Sequence, residues 1–319
     1  MIRAFIFLAL IVAVGSFFAW PNKSLGIVSP IPKVFGSSTT GKSIRTLPAN
    51  NWFPKESVSG SKNYTLSLSS KSAVAVNYDT GEILFNKDPK ERLPIASVVK
   101  IMTALVALES ADYSKVFTVS EKASKVGENS MGLVAGEKLT LKELLYGLIL
   151  VSGNDAAVTI AEGVSGSEEK FVSQMNDEVT RLGLKDTHFV NASGLDVDGN
   201  NDYSTAYDVA VISHYLWQNY AVFRQVSSTY HEYIESSGDH GAYDLYNDTN
   251  LLTTYPGVLG IKPGFTWDAG LCLATYAEND GKKILAVVLG SDDRRGDMKE
   301  LLDYSFGTYG IHVPHARLD

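Results

Sequence analysis

The run from Ser97 to Glu109 is apolar nearly all the way round a helical wheel, with Pro94 standing just before it. A helix without a polar face cannot lie on a surface and has to be enclosed by other elements. The chain must therefore supply layers on every side of this helix. Inside the run stands one charge, Lys100; Glu109 closes the run on the opposite side, so no acidic residue shares the helical face of Lys100. A lone ammonium in apolar surroundings is costly. That cost makes Lys100 a candidate functional group rather than a packing residue.

The elements around this run can enclose it. Ala73 to Tyr78 and Glu82 to Phe85 read as strands joined by the turn Asp79-Thr80-Gly81. Thr140 to Leu150, Asp155 to Gly163, Glu168 to Leu182 and Thr205 to Trp217 read as helices, the last with Ser204-Thr205 and Asp208 as its capping region. Val258 to Ile261, Gly270 to Ala277 and Lys283 to Leu289 read as strands. The last two flank Asn279-Asp280-Gly281, a strong hairpin turn. Met298 to Tyr309 reads as a closing helix. Two strands, a block of helices, three strands and a helix imply a mixed α+β fold, with one antiparallel sheet packed on the helical block.

Charge divides the chain. Residues 21–70 carry six Lys and Arg against Glu56 alone, a net of +5; with Arg3 set aside as well, residues 71–319 carry −14 of the overall −8. An acidic body does not suit a nucleic-acid partner, which needs a basic face. With Cys272 as the single cysteine, an internal disulfide and CxxC redox or zinc sites are excluded. The six histidines show no metal-ligand spacing and are expected to be surface or structural.

Residues 1–20 are expected to be a signal peptide or N-terminal membrane anchor, because Ala4 to Trp20 holds no charge over a length near that of a spanning helix. Ala13-Val14-Gly15 is a passable cleavage site, but Phe17, Phe18 and Trp20 after it favour a retained anchor. Residues 21–70 hold five of the ten prolines with many Ser, Gly and Lys, and are expected to be a flexible linker. The body is expected over 71–310, with a short tail at 311–319.

Three short motifs lie in order in the body. Ser-x-x-Lys occurs three times, at Ser59/Lys62, Ser97/Lys100 and Ser167/Lys170, and only the second opens an apolar helix. Positions i and i+3 share a helical face, so the Ser97 hydroxyl and the Lys100 amine can meet. A serine needs a base to act as a nucleophile, and a buried amine beside a second cation can be that base. Lys262, in Lys262-Pro263-Gly264 at a strand end, is positioned to be the second cation. The helix start at Ser97 offers a backbone N–H to a developing oxyanion. Ser152-Gly153-Asn154, between two helices, supplies a hydroxyl able to relay a proton and an amide able to hold a carbonyl. Read singly, Ser97 is also compatible with a helix cap, Lys100 with a snorkelling side chain, and the other two motifs with turn chemistry.

Together, these residues resemble the serine D-alanyl-D-alanine carboxypeptidases, the low-molecular-weight penicillin-binding proteins. The resemblance extends through Leu93-Pro94-Ile95-Ala96-Ser97-Val98-Val99-Lys100-Ile101-Met102-Thr103, Asn129-Ser130-Met131-Gly132-Leu133 and Ser152-Gly153-Asn154-Asp155-Ala156-Ala157. It continues in Phe189-Val190-Asn191-Ala192-Ser193-Gly194-Leu195 and Tyr203-Ser204-Thr205-Ala206-Tyr207-Asp208. It implies a transpeptidase/β-lactamase-like α/β (α+β) fold: a five-stranded antiparallel sheet flanked by helices, with a helical subdomain. It also implies an extracytoplasmic, penicillin-sensitive enzyme that removes the terminal D-Ala of peptidoglycan stem peptides without cofactor or metal. β-Lactams would be covalent inhibitors.

By the same resemblance Ser97 is acylated, Lys100 is its base and Ser152 relays a proton to the leaving amine. Asn154 positions the acyl-side amide. Lys262, Gly264, Phe265 and Arg294 bind substrate, the backbone N–H of Phe265 joining that of Ser97 as oxyanion donor. Two departures stand out. Pro263 replaces the family's Thr in the third motif and removes a hydroxyl expected to contact the substrate carboxylate. The chain ends at Asp319 without the family's β-rich second domain and C-terminal amphipathic anchor, so attachment is expected from the N-terminus. The alternatives are a DD-endopeptidase on cross-links using the same site, and a wall-peptide-binding module weakened at Pro263. A β-lactamase is disfavoured, because no Glu-x-x-Leu-Asn type segment lies between Asn154 and Lys262.

Overall fold

Five antiparallel strands form the main sheet: β1 (Ser72–Asn77), β2 (Ile83–Lys87), β3 (Val258–Thr266), β4 (Gly270–Asn279) and β5 (Lys282–Ser291). Their order across the sheet is β2-β1-β5-β4-β3, which pairs N- and C-terminal strands and leaves β3 at an edge. The computed structural model describes residues 52–56, 66–196, 199, 202–249 and 251–315. The N-terminal apolar run and most of the 21–70 stretch lie outside the described residues.

The central strands are buried on both faces, and their side chains sort with a period of two. Val74, Val76, Leu285 and Val287 enter the core shared with the helices, whereas Ala73, Ala75, Ile284 and Ala286 enter a second core on the opposite face. That alternation fixes register, because a one-residue slip would exchange the two cores.

Among the described residues eight α-helices complete the fold: α1 (Lys100–Ser110), α2 (Leu141–Leu150), α3 (Asn154–Ser165), α4 (Glu168–Arg181), α5 (Ala206–Asn219), α6 (Ala221–Ser227), the one-turn α7 (Leu251–Thr254) and α8 (Arg294–Gly307). Helix α1 is the enclosed element its composition requires. Every residue from Lys100 to Leu108 is buried, and it packs on α2, α3, α4 and α5. Thr140 and Glu143 form a capping box at α2, while Ser167, Thr205 and Asp293 cap α4, α5 and α8. Helix α8 covers the second core through Met298, Leu301, Leu302 and Phe306. Three two-stranded ribbons are added: Leu93–Pro94 with Tyr203–Ser204, Val116–Thr118 with Lys138–Thr140, and His231–Ile234 with Tyr243–Tyr246.

The structure differs from the sequence reading at several edges. Helix α8 begins at Arg294, four residues before the expected start, because Asp293 accepts from the Gly296 N–H. Strand β3 runs on to Thr266 and carries Lys262-Pro263-Gly264 within it rather than at its end. Pro263 is accommodated because β3 is an edge strand. Parts of the 21–70 stretch dock on the body. Trp52 stacks on His214 at 3.7 Å and donates to the Tyr78 carbonyl, Lys55 bridges to Glu82, and the Ser69 and Ser70 N–H groups bind Asp297. Val313 is buried beyond residue 310, and His315 meets Asp303. No helix among the described residues is long and apolar enough to cross a membrane.

Candidate active site

The start of α1 is preceded by a 3₁₀ turn, Ala96–Val99, and this turn presents the first motif. Ser97 is half-buried and Lys100 fully buried. The Lys100 Nζ donates to Ser97 Oγ at 3.0 Å, to Asn154 Oδ1 at 2.8 Å and to the Ser193 carbonyl at 2.5 Å. Neither commonplace reading holds. The turn is capped by Ile95 and α1 by Val99, without side-chain caps, and Lys100 reaches inward rather than to solvent.

Burial and neighbouring charges set the protonation of this pair. Burial pushes the Lys100 amine well below its ordinary range, and the positive charge of Lys262 pushes it further. Asp202, Glu128 and Asp155 act in the opposite direction. Lys262 is itself buried, and burial brings it down to about 7, with Asp248 opposing and Arg294 adding to the effect. Its Nζ donates to the Pro263 carbonyl at 3.1 Å.

Ser152 is buried at a left-handed φ of 58°, and its Oγ has no hydrogen-bond partner among the described residues. A left-handed non-glycine backbone stores strain, and a buried hydroxyl without a partner is free to take one. Ala96, just before the nucleophile candidate, is held likewise at φ 49°. Asn154 opens α3 rather than lying in a loop. Its Oδ1 receives Lys100 and its Nδ2 donates to the Gly127 carbonyl at 3.0 Å, so both ends of the amide are engaged within the protein.

Strand β3 closes the site from the other side. Gly264 lies against the 3₁₀ turn: an added Cβ would sit 3.0 Å from the Ile95 oxygen and 3.1 Å from the Ser97 nitrogen. Phe265 follows, with its side chain exposed. Arg294, the first residue of α8, donates to the Gly264 carbonyl at 2.7 Å and lies close enough to Lys262 to affect its charge. The structure thus brings Ser97, Lys100, Asn154, Lys262, Gly264 and Arg294 to one place from five elements, the 3₁₀ turn, α1, α3, β3 and α8, with Ser152 leading into α3.

A protein-family model, D-alanyl-D-alanine carboxypeptidase, matches residues 58–293. The chain belongs to that family. It is 38% identical over 266 residues to the D-alanyl-D-alanine carboxypeptidase DacF of Bacillus subtilis, covering 81% of this chain and 67% of that protein. With the DacB2 carboxypeptidase of Mycobacterium tuberculosis it shares 33% over 216 residues, 68% of this chain and 73% of the relative. Among solved structures, the Streptomyces K15 DD-transpeptidase superposes with a TM-score of 0.71 at 28% identity, covering 76% of this chain and 99% of that one.

Within this DD-peptidase framework, sequence reasoning missed the residues that hold the site in shape. Asp155 is buried, and its carboxylate gathers Ser130 Oγ and the N–H groups of Met131, Gly132 and Leu133. It fixes the loop that borders Ser152 and Asn154. Asn191 and Asp202 organise the loop carrying the Ser193 carbonyl. Asp155 and Asn191 lie within the resembling segments and Asp202 just ahead of one, but the contacts that Asp155 and Asp202 make span 11–25 residues of sequence. Among the described residues no cluster of His, Cys, Asp or Glu is placed to hold a metal, and His214 is structural, buried against Trp52.

Proposed function

We propose that this chain is a serine DD-carboxypeptidase that removes the terminal D-Ala from peptidoglycan stem peptides through an acyl-enzyme on Ser97. The observation that carries the reading is the 3.0 Å contact between the half-buried Ser97 hydroxyl and a fully buried Lys100 amine whose surroundings favour its neutral form. The Ser97 O–H proton passes to Lys100 Nζ as Oγ attacks the penultimate D-Ala carbonyl. Ser152, with its free buried hydroxyl, hands its proton to the departing amine and regains one from the Lys100 ammonium. The N–H groups of Ser97 and Phe265 receive the oxyanion. Lys262 and Arg294 face the substrate carboxylate, and Asn154 steadies the base and the acyl-side amide. Water then cleaves the ester and restores Ser97. A β-lactam would acylate the same oxygen and remain there.

A pure binding module would have no use for a dehydrated amine against a serine hydroxyl, which disfavours that alternative. The site lies on the outer side of the cytoplasmic membrane in this reading, where stem peptides are found, with residues 1–20 as signal or anchor and the following stretch as tether. The test is intact mass after incubation with penicillin, alongside D-Ala release from a D-Ala-D-Ala peptide. One stoichiometric adduct and released D-Ala are expected. Absence of both would exclude the function. Release from a cross-linked dimer without release from the linear peptide would instead mark an endopeptidase.

A further inference from the structure

Asp202, just ahead of the Tyr203–Ser204 strand, is a buried carboxylate at 3% exposure. Its Oδ1 accepts the N–H groups of Val190 at 2.7 Å and Asn191 at 3.3 Å. Its Oδ2 has no partner among the described residues. The loop it holds is tied further by Asn191, whose Oδ1 accepts the N–H of Ser193 at 2.9 Å and of Gly194 at 2.6 Å. At the end of this chain of bonds the Ser193 carbonyl receives Lys100 at 2.5 Å. Gly194 presses on the nucleophile's own turn, since a Cβ there would lie 2.2 Å from the Ala96 oxygen.

A neutral acceptor could take the same two N–H bonds, more weakly than a carboxylate but without the cost of a buried charge. A buried oxygen left without a partner costs free energy, more so when charged. What the scaffold does not explain is therefore the charge. The nearby group able to use it is Lys100, to which Asp202 couples electrostatically. The other charges acting on Lys100 are Lys262 from β3, which disfavours the ammonium, and Glu128 and Asp155 from the loop before α2 and the start of α3, which favour it.

We propose that Asp202 is a positioning residue for acylation: it fixes the Ser193 carbonyl that orients the Lys100 amine, and its negative charge stabilises the ammonium formed there when Ser97 gives up its proton. The proposal rests on the assignment of Ser97 and Lys100 as nucleophile and base. Burial raises Asp202 to about 7, and attraction to Lys100 lowers it, so the charge is retained most firmly when the ammonium is present. In the step itself the Ser97 O–H bond breaks, an N–H bond forms at Lys100, and the serine oxygen pair makes the new bond to the carbonyl carbon.

The experiment is the second-order rate of acylation by penicillin between pH 5 and 9 for the parent, Asp202→Asn, Asp202→Ser and Asp202→Glu, each checked for native melting. Removing the charge makes Lys100 a weaker base that sheds its proton at lower pH. In the uncharged variants the acid limb should move down by about half a unit to one unit, less than the 1–3 units of a contacting pair, and the plateau should fall several-fold. In Asp202→Glu the limb should stay in place. An unmoved limb in a folded Asn or Ser variant overturns the proposal, whatever the rate, because a purely structural role changes rate without moving the limb. A parent that takes no penicillin at any pH overturns the Ser97 assignment itself, and this proposal with it.

Discussion

Gly264 stands so close to Ser97 that a methyl group on its Cα would approach the Ser97 nitrogen to 3.1 Å, with the Val98 nitrogen at the same distance. These neighbours are backbone atoms of a strained turn that follows Ala96, so they have little room to retreat. Gly264→Ala should therefore push β3 and the nucleophile turn apart. The expected cost in stability is about 1–3 kcal/mol, the range for overpacking a well-filled site. The cost in acylation should be larger, about 100-fold, as for other displacements of catalytic groups by about 1 Å. Penicillin acylation rates and thermal melts measured together check this. An unchanged rate would show that Ser97 tolerates the displacement.

Lys100→Arg preserves a cation but not a base. Arginine does not deprotonate in a protein, and the lysine pocket offers one carbonyl, one amide oxygen and one hydroxyl rather than a carboxylate. Acylation by penicillin should fall by at least about 100-fold, the lower range for loss of general base catalysis. A variant that folds and acylates at the parental rate would move the base elsewhere. Ser97→Ala should abolish the adduct outright.

Much of this was readable in advance, for physical reasons that particular residues make clear. Helix α1 could be recognised as central because apolarity on every side has one structural solution. Lys100 stood out because its burial needed a justification. The Ser-x-x-Lys motif could be ranked because only one of its three copies opens an apolar helix. What could not be read depends on the third dimension. Asn154 reads in sequence as an amide for the substrate, and residue type does not tell that its oxygen also lies 2.8 Å from Lys100, 54 residues away. The left-handed backbone of Ala96 and Ser152 has no signature in residue type. Asp155 and Asp202 were ordinary acidic residues until burial gave them loops to hold. Helix α6 and the His231–Ile234 ribbon were missed because both are short, and the ribbon strands carry exposed His, Glu and Tyr.

Lys262 should weaken the fold as the pH falls. Burial lowers it to about 7 from an ordinary value of 10.5. Between those two values the unfolded chain holds a proton that the folded chain has shed, so stability rises with pH across the window. Below about 7 the folded protein carries the buried charge and its full penalty. Lys262→Met should thus stabilise the protein by about 1–4 kcal/mol at pH 6, and most of that gain should be gone near pH 10.5, where the folded lysine is neutral and the unfolded one half so. Activity should fall at the same time, since the carboxylate would lose its cation. Melting curves at pH 6 and near 10.5 provide the check, and a gain of equal size at both would trace the effect to packing instead of charge.

Pro263 bears on substrate recognition rather than on the chemical step. Nucleophile, base and oxyanion donors do not include it, and its carbonyl still receives Lys262. What it lacks is a hydroxyl for the substrate carboxylate. A hydrogen bond to a charged group contributes about 1.5–3 kcal/mol, equivalent to about 10- to 150-fold. The neighbours compensate only in part. Arg294 already donates to the Gly264 carbonyl, and the Thr266 hydroxyl accepts from the Ala269 N–H. Pro263→Thr should therefore raise kcat/KM on a D-Ala-D-Ala peptide towards that range, with a far smaller gain on the same peptide amidated at its C-terminus. Equal gains on both peptides would mean that the proline acts through the geometry of β3. No gain on either would mean that Lys262 and Arg294 already saturate the carboxylate.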